Sequence, residues 1–400
     1  VRPETSNAFK HMDKTERHIV HLDQDAFFVS VERLQNSRLQ GRPVIIGGLG
    51  ERGVVAGCSY EARQFGVHSA MPMRLARELC ADAVFIRGDM QLYSNYSNMV
   101  TQIIAEQAPV FEKASIDEHY LDITGMDRFF GCRKWASELR SMIIRETGLP
   151  VSMGLSPNKT VSKIATGQAK PNGQLQVAPP MVNDFLSPLP VKKIPMAGPK
   201  TCQLLHTMGI RTIGTLRQVP PEVIRRMLGK NGLLLWQRAN GIDESPVEPW
   251  DEHKSISTET TFATDTTDME RIHELLAGMC EQLAFRLRRS RQLTGCVTVK
   301  IRYANFDTHS LQQTLPYTSF DHVLIPACKE LVRRLYRRRM LIRLVGIQFS
   351  RLVHGVQQLN LFEETPELVG LYQAVDRMRR KYGAGILHRA VTPAKKAVGD

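Results

Sequence analysis

The stretch Ser115-Ile116-Asp117-Glu118-His119-Tyr120-Leu121-Asp122 constrains the fold more than any other. It is strand-like except that two acids, Asp117 and Glu118, stand side by side within it. Neighbours on a regular strand point to opposite faces. Both acids can serve one site only if the backbone bends here, as at a hairpin tip. Buried carboxylates are costly unless paired or metal-bound. A solvated turn carrying two acids is the plain alternative. A second stretch bears on the choice, because His18-Ile19-Val20-His21-Leu22-Asp23 is a short apolar strand ending in Asp23. Brought together, Asp23, Asp117 and Glu118 supply three hard oxygen ligands, the donor set of a magnesium site that handles phosphates.

The rest of the chain supplies context for that site. Lysine and arginine number 53 against 40 acids, a net charge of +13, and the basic residues cluster late in the sequence. Such an excess suits a polyanionic partner, although it also aids solubility. At 400 residues there is room for two to four domains. No apolar run reaches the roughly 20 residues of a membrane helix. The polar stretch from Val1 to Arg17 lacks an apolar signal core, so a cytoplasmic location is expected. Seven scattered cysteines without any C-x-x-C spacing argue for free thiols rather than a zinc site or a disulfide framework.

Taken in order, the pattern predicts a helix over Ala26 to Leu34, with Phe27, Val31 and Leu34 on one buried face. Phe28 lies off that stripe, beside the acids, free either to pack in the core or to lie against a sugar. Apolar strands are expected from Arg42 to Gly48 and from Val54 onward. Tyr60 and Arg63 share a helix face, as a surface pair or as a grip on a triphosphate. A helix over Gln91 to Gln107 would bury Leu92, Tyr96, Met99 and Ile103. Another, Arg133 to Thr147, would turn Trp135, Leu139 and Met142 inward and end at Gly148. A strand from Pro150 to Leu155 is followed by a helix with Ser156 as its cap and Pro157 at its first position. Lys159 and Lys163 on that helix repel at i, i+4, which a nearby anion would explain; a solvated basic face would also serve.

Five prolines between Pro179 and Pro195 mark a domain edge. Ile194 to Ile210 has the form of a helix-hairpin-helix, whose glycine turn can hold DNA phosphate on backbone N–H groups. After a linker, the alternation from Lys254 to Leu352 is βαββαβ. In it Val297, Val299, Ile301 and Tyr303 alternate with Thr298, Lys300 and Arg302, giving one apolar and one cationic sheet face. Arg286, Arg288, Arg289, Arg291, Arg333, Arg334, Arg337, Arg338 and Arg339 together suit phosphate contacts, although each alone could be a solvated helix end. Leu368, Leu371, Val375 and Met378 suggest one more amphipathic helix, to which no function is given.

Asp23-Gln24-Asp25-Ala26-Phe27-Phe28 together with Ser115-Ile116-Asp117-Glu118 resembles the Y-family, translesion DNA polymerases, and among them the DinB type. The likeness is collinear from about residue 17 to 362. It implies an α+β, right-hand polymerase with palm, fingers, a small helical thumb and a βαββαβ little finger. The expected limits are 17–178 for the palm with fingers inserted at about 27–88, and 179–245 for the thumb. The linker is 246–253, the little finger 254–355, and a clamp-binding peptide with its tail fills 356–400. By resemblance, Asp23, Asp117 and Glu118 are catalytic and bind two magnesium ions, assisted by the backbone carbonyl of Gln24. Phe28 looks like the steric gate against ribonucleotides, with Phe27 beside it; Tyr60, Arg63 and Lys170 match the nucleotide-phosphate contacts. Gln358, Leu359, Leu361 and Phe362 match the sliding-clamp peptide.

The implied partners are primer-template DNA, a deoxynucleoside triphosphate and the clamp, for a monomer associated with the nucleoid and not with a membrane. Gly57 departs from the family's usual hydroxyl residue, and Met196-Ala197-Gly198 from its Gly-Val-Gly. Asp25 and Asp122 are given no role: the first could orient the turn, the second could simply end a strand. The rival function is a non-catalytic subunit of the same family that docks on DNA and clamp; loss of the acid triad would be its mark. A family member that needs protein partners for activation is a further alternative.

Overall fold

The structure is a computed structural model, and it describes residues 16–126, 131–249, 253–355, 365–383, 385–387 and 389. The chain divides into two compact units, Val1–Asp251 and Glu252–Asp400.

The first unit is built on a five-stranded sheet. Its opening strand β1 (Ile19–Gln24) leads into α1 (Phe27–Gln35). A smaller sheet follows, made from β2 (Val44–Gly47), β3 (Val55–Cys58) and, after the short α2 (Tyr60–Arg63) and α3 (Met73–Leu79), β4 (Val84–Ile86). Its order is β3-β2-β4, over a core of Ile45, Val55, Met73 and Ala76. The chain returns through α4 (Met90–Gln107) to the hairpin of β5 (Val110–Lys113) and β6 (Glu118–Asp122). Then come α5 (Cys132–Thr147), β7 (Val151–Ser156), α6 (Lys159–Ala169) and β8 (Gln174–Gln176). The large sheet has the order β5-β6-β1-β7-β8. Its middle strands β1 and β7 are buried along their whole length, so the carboxylate at the end of β1 leaves the sheet from a rigid base.

Helix α6 lies against β7 at Gly154, where a Cβ would stand 2.2 Å from the Ser162 carbonyl oxygen. Glycine is needed there for the close approach. Its cap is Asn158, whose side chain accepts from the Val161 N–H, so the expected cap at Ser156 is corrected. Ser156 is still the last residue of β7, and Asn158 is the first extended residue with a free acceptor behind the helix start.

Two expected buried stripes also shift. On α4 the buried residues are Tyr93, Ser97, Val100, Ile103 and Ile104, while Met99 is 46% exposed. The stripe sits one residue later because Tyr93 reaches into the core and donates its hydroxyl to Glu32. On α1, Phe27 and Val31 are buried as expected, but Leu34 is 41% exposed at the helix end. On α5, Leu139 is buried, Trp135 and Met142 pack partly against the core, and Gly148 closes the helix in the left-handed region.

The unit ends in short helices, α7 (Val182–Leu186), α8 (Pro199–Thr207), α9 (Ile213–Gln218) and α10 (Pro221–Ala239), around a core of Val191, Leu205, Leu216 and Leu235. The element immediately before α8 is a single turn of 3-10 helix, Val191–Lys193. Met196 has φ 73, so a residue with a Cβ takes the left-handed turn for which glycine is best suited.

The second unit repeats the expected βαββαβ order. Strand β9 (Ser255–Thr266) and α11 (Met269–Arg289) precede β10 (Gln292–Tyr303), β11 (Thr308–Thr318), α12 (Asp321–Leu335) and β12 (Ile342–His354). Its antiparallel sheet has the order β11-β10-β12-β9. Val297, Val299, Ile301 and Tyr303 are buried with α11 and α12, whereas Thr298, Lys300 and Arg302 are partly exposed, as their alternation required. A last helix, α13 (Thr365–Tyr382), buries Tyr372, Asp376 and Arg379. Leu371 and Met378, expected on its inner face, are 56% and 43% exposed. The inner face is polar and ionic, which a search for apolar periodicity overlooks. All seven cysteines are buried free thiols. Among the described residues no helix is long and apolar enough to cross a membrane.

Candidate active site

The acids converge because two strands deliver them. Strands β1 and β6 pair antiparallel with Asp23 directly opposite Glu118. Asp117 is the last residue of the turn between β5 and β6, so the chain bends at the acid pair. Ser115 shapes that bend: its hydroxyl donates to Asp117 Oδ1 at 2.6 Å and accepts from the N–H groups of Asp117 and Glu118. Gln24 ties β1 to the same turn through its N–H, 3.0 Å from the Asp117 carbonyl oxygen.

Two lysines meet the acids. Lys170 Nζ lies 2.5 Å from Asp23 Oδ1, and Lys163 Nζ lies 2.5 Å from Glu118 Oε2. Lys159, one turn before Lys163, bonds both oxygens of Glu112 at 2.8 and 2.7 Å. The i, i+4 repulsion is therefore relieved by two separate acids on neighbouring strands, and an external anion is not required to explain it.

Burial pushes the Asp23 carboxyl up to about 7; Lys170 opposes this, and the charges of Glu118 and Asp117 add to the rise. Burial also pushes Glu118 up, but His21 and Lys163 outweigh it and hold the carboxyl at about 2. Of these two partners, Lys163 is in hydrogen-bonding contact, whereas His21 Nε2 is 3.9 Å away and burial lowers the ring's own pKa. Lys163 is therefore the partner that matters.

Among the described residues, no three His, Cys, Asp or Glu side chains stand close enough to share one ion. The lysines hold two of the three carboxylates. The donor chemistry still fits a hard divalent cation. All three acids offer oxygen, and Asp23 is raised partly by the other two, a repulsion that a cation relieves.

The nucleotide-side candidates lie on neighbouring elements. Tyr60 and Arg63 share a face as expected, the guanidinium lying 4.7 Å from the ring centroid. Phe27 is buried, and Phe28 is half-buried beside it. The Phe28 ring stacks on Tyr93, centroids 4.5 Å apart at 24°. Gly57 is the space-giving residue behind it, since a Cβ there would stand 3.3 Å from Phe28 Cδ2.

Asp25 is the residue that sequence reasoning left unassigned. It is 2% exposed and accepts from Tyr60 Oη at 3.0 Å, Ser152 Oγ at 2.7 Å and the Asn172 N–H at 2.7 Å. Lys170 Nζ is 3.8 Å from it. One buried carboxylate thus joins α2, β7 and the turn after Lys170. The only signal in the sequence was its place two residues after Asp23. Asp122 ends β6 and accepts from the Thr124 N–H at 3.0 Å, a strand-end role.

In the second unit Arg288 is corrected as a phosphate contact. Its side chain is only 10% exposed and is held by Asp321 and Asp376. Arg338 pairs with Asp307, and Lys300 with Glu259. Gln358, Leu359, Leu361 and Phe362 lie outside the described residues.

Residues 22–167 match the impB/mucB/samB family, and residues 253–361 match that family's C-terminal domain. Over 371 residues the chain is 39% identical to a protein named DNA polymerase IV from Dehalococcoides mccartyi, covering 92% of this chain and 95% of the relative. A namesake from Desulfatibacillum aliphaticivorans is 35% identical, covering 94% and 97%. Among solved structures, a Y-family DNA polymerase chimera of Dbh and Dpo4 aligns with a TM-score of 0.77 at 25% identity, over 84% of this chain and all of the other. DinB from Sulfolobus solfataricus aligns with a TM-score of 0.60, also at 25% identity and the same coverage.

Proposed function

The chain belongs to the impB/mucB/samB family, the Y-family translesion DNA polymerases, and from that premise we propose that Asp23, Asp117 and Glu118 are its catalytic acids. It is a DNA-directed DNA polymerase, acting on DNA and deoxynucleoside triphosphates. The observation that carries the assignment is the cross-strand pair Asp23–Glu118 with Asp117 bent onto the same end of the sheet.

Divalent metal is general in this family. Here the reading is two magnesium ions held by Asp23, Asp117 and Glu118, with the Gln24 carbonyl assisting. Magnesium bound there lowers the pKa of the primer 3′-hydroxyl and neutralises the triphosphate. The protein's own groups do the positioning. Asp25 fixes the Tyr60 hydroxyl, and Arg63 lies over the same ring, so phenol and guanidinium act as one unit toward phosphate. Lys170 supplies an ammonium beside Asp23. Phe28, packed between Gly57 and Tyr93, is the wall against a ribose 2′-hydroxyl.

The first unit reads as palm over 17–178, with fingers at about 27–88 carrying the small sheet, and thumb over 179–245. The second reads as little finger over 254–355. Low fidelity, a monomeric state, a nucleoid location and clamp binding through Gln358, Leu359, Leu361 and Phe362 complete the reading. Intact acids weigh against the non-catalytic docking subunit.

Asp117→Asn separates the two. It keeps size and removes charge, so primer extension should fall roughly a thousandfold or more. Primer-template binding should be retained. Extension near the parent rate refutes the assignment.

A further inference from the structure

Helix α13 lies beyond residue 361, where the match to the family's C-terminal domain ends. Its seat on the second unit is specific. Arg288 reaches Asp321 Oδ1 at 2.8 Å and grips Asp376 with Nε at 2.8 Å and Nη2 at 3.0 Å. Arg379 Nη2 meets Glu281 Oε2 at 3.1 Å. Tyr372 stacks on Phe320 at 5.3 Å, and its hydroxyl accepts from the His322 N–H. Buried ion pairs are costly to desolvate, but a mismatched one is costlier still, so they suit a fixed register. The register decides which residues α13 presents elsewhere.

It presents arginines. Arg377 and Arg380, one helical turn apart, border a groove of about 450 Å³, and Arg291 borders it too. The nearby acids Asp321 and Asp376 are already taken by Arg288. Among the described residues, the guanidinium groups of Arg291, Arg377 and Arg380 have no carboxylate partner. Gln292 and Gln373 add amide donors. Three uncompensated cations around one groove repel each other until an anion enters. Guanidinium and amide groups are the donors that phosphate oxygens take. The groove's aromatic rings, Phe320 and Tyr372, are only 6% and 5% exposed and are stacked on each other. They offer no face to a base, so recognition here is of backbone alone.

We infer that α13 and the little-finger sheet together form a second, sequence-independent binding groove for the phosphodiester backbone of DNA. The ligand follows from charge complementarity and from the polymer on which the enzyme already acts. The groove enlarges the DNA footprint without entering the chemistry.

The test uses the full chain with Arg291, Arg377 and Arg380 replaced together, once by glutamine and once by lysine. Binding of a labelled primer-template is followed by anisotropy across a salt series. Each phosphate contact contributes about 0.9 to the slope of log K against log salt, so the glutamine variant should lose roughly 2 to 3 from that slope. Its affinity near 0.1 M salt should fall at least about tenfold. Lysine keeps the charge and should keep the slope. The turnover number at saturating DNA should be unchanged in both, which separates this groove from the acid site. An unchanged slope in the glutamine variant overturns the proposal. So does an equal loss in the lysine variant, which would make the arginines structural. Loss of binding to phosphatidylserine vesicles with an intact DNA slope would assign the groove to a membrane surface and also overturn it.

Discussion

Asp25→Asn tests how the site is held together. The native carboxylate accepts three hydrogen bonds while 2% exposed, so solvent screens little. Bonds to a charged group contribute roughly 1.5–3 kcal/mol, and neutral ones roughly 0.5–1.5 kcal/mol. Neutralising the acceptor therefore costs about 1 kcal/mol per bond, or about 3 kcal/mol in all. Asparagine can still accept from the fixed Asn172 N–H if its amide nitrogen faces Tyr60, whose hydroxyl can turn and accept. The fold should survive, with the Tyr60 hydroxyl turned from donor to acceptor and its ring less firmly held. Trp135 and Trp236 lie in the described part of the first unit and the sequence has no tryptophan in Glu252–Asp400, so intrinsic fluorescence follows unfolding of the first unit. The denaturation midpoint should fall accordingly. KM for the incoming nucleotide should rise about tenfold, equivalent to ~1.4 kcal/mol, with a smaller change in kcat. A double-mutant cycle with Tyr60→Phe should give a coupling of about 1 kcal/mol, because each change removes the same charge-assisted bond. Strict additivity, or an unchanged midpoint and KM, would refute the linkage from Asp25 to the nucleotide contacts.

Phe28→Ala should raise ribonucleotide use by about a hundredfold, ~3 kcal/mol, measured as kcat/KM for ribo- and deoxynucleotide opposite one template base. An unchanged ratio in a folded protein would make Phe28 a packing residue only. Alanine at Gln358, Leu359, Leu361 and Phe362 should abolish clamp-stimulated synthesis and spare synthesis without clamp; equal loss in both assays would mean a structural segment. His119 predicts the acid limb of stability. Burial, with help from Lys113 and His21, lowers its pKa to about 3. The folded state therefore binds fewer protons than the unfolded state, and stability present above pH 6.5 is lost as pH falls toward 3. The slope from this group approaches about 1.4 kcal/mol per pH unit. His119→Gln, which can still meet Thr101, should flatten the fall between pH 6.5 and 5; a parallel curve would exclude His119 as its source.

Much of this was local information. An apolar strand ending in an acid, two acids at an unavoidable bend, and a period-two cationic strand are properties of neighbouring residues. The proposed Asp23, Asp117 and Glu118 set and the βαββαβ order were therefore legible in the sequence alone, and its resemblance pointed to the polymerase family. Partner choice is not local. Lys159 meets Glu112 rather than an external anion, and Arg288 is spent on Asp321 and Asp376, because strands and helices far apart in the chain bring those acids within 3 Å. Asp25 became visible only when Tyr60, Ser152 and Asn172, from three separate elements, closed around it. The inner face of α13 was missed for the same reason: ion pairs buried across an interface leave no hydrophobic period to read. Which charges are free to meet a ligand is settled by which opposite charges the fold has already placed beside them, and only the tertiary structure decides that.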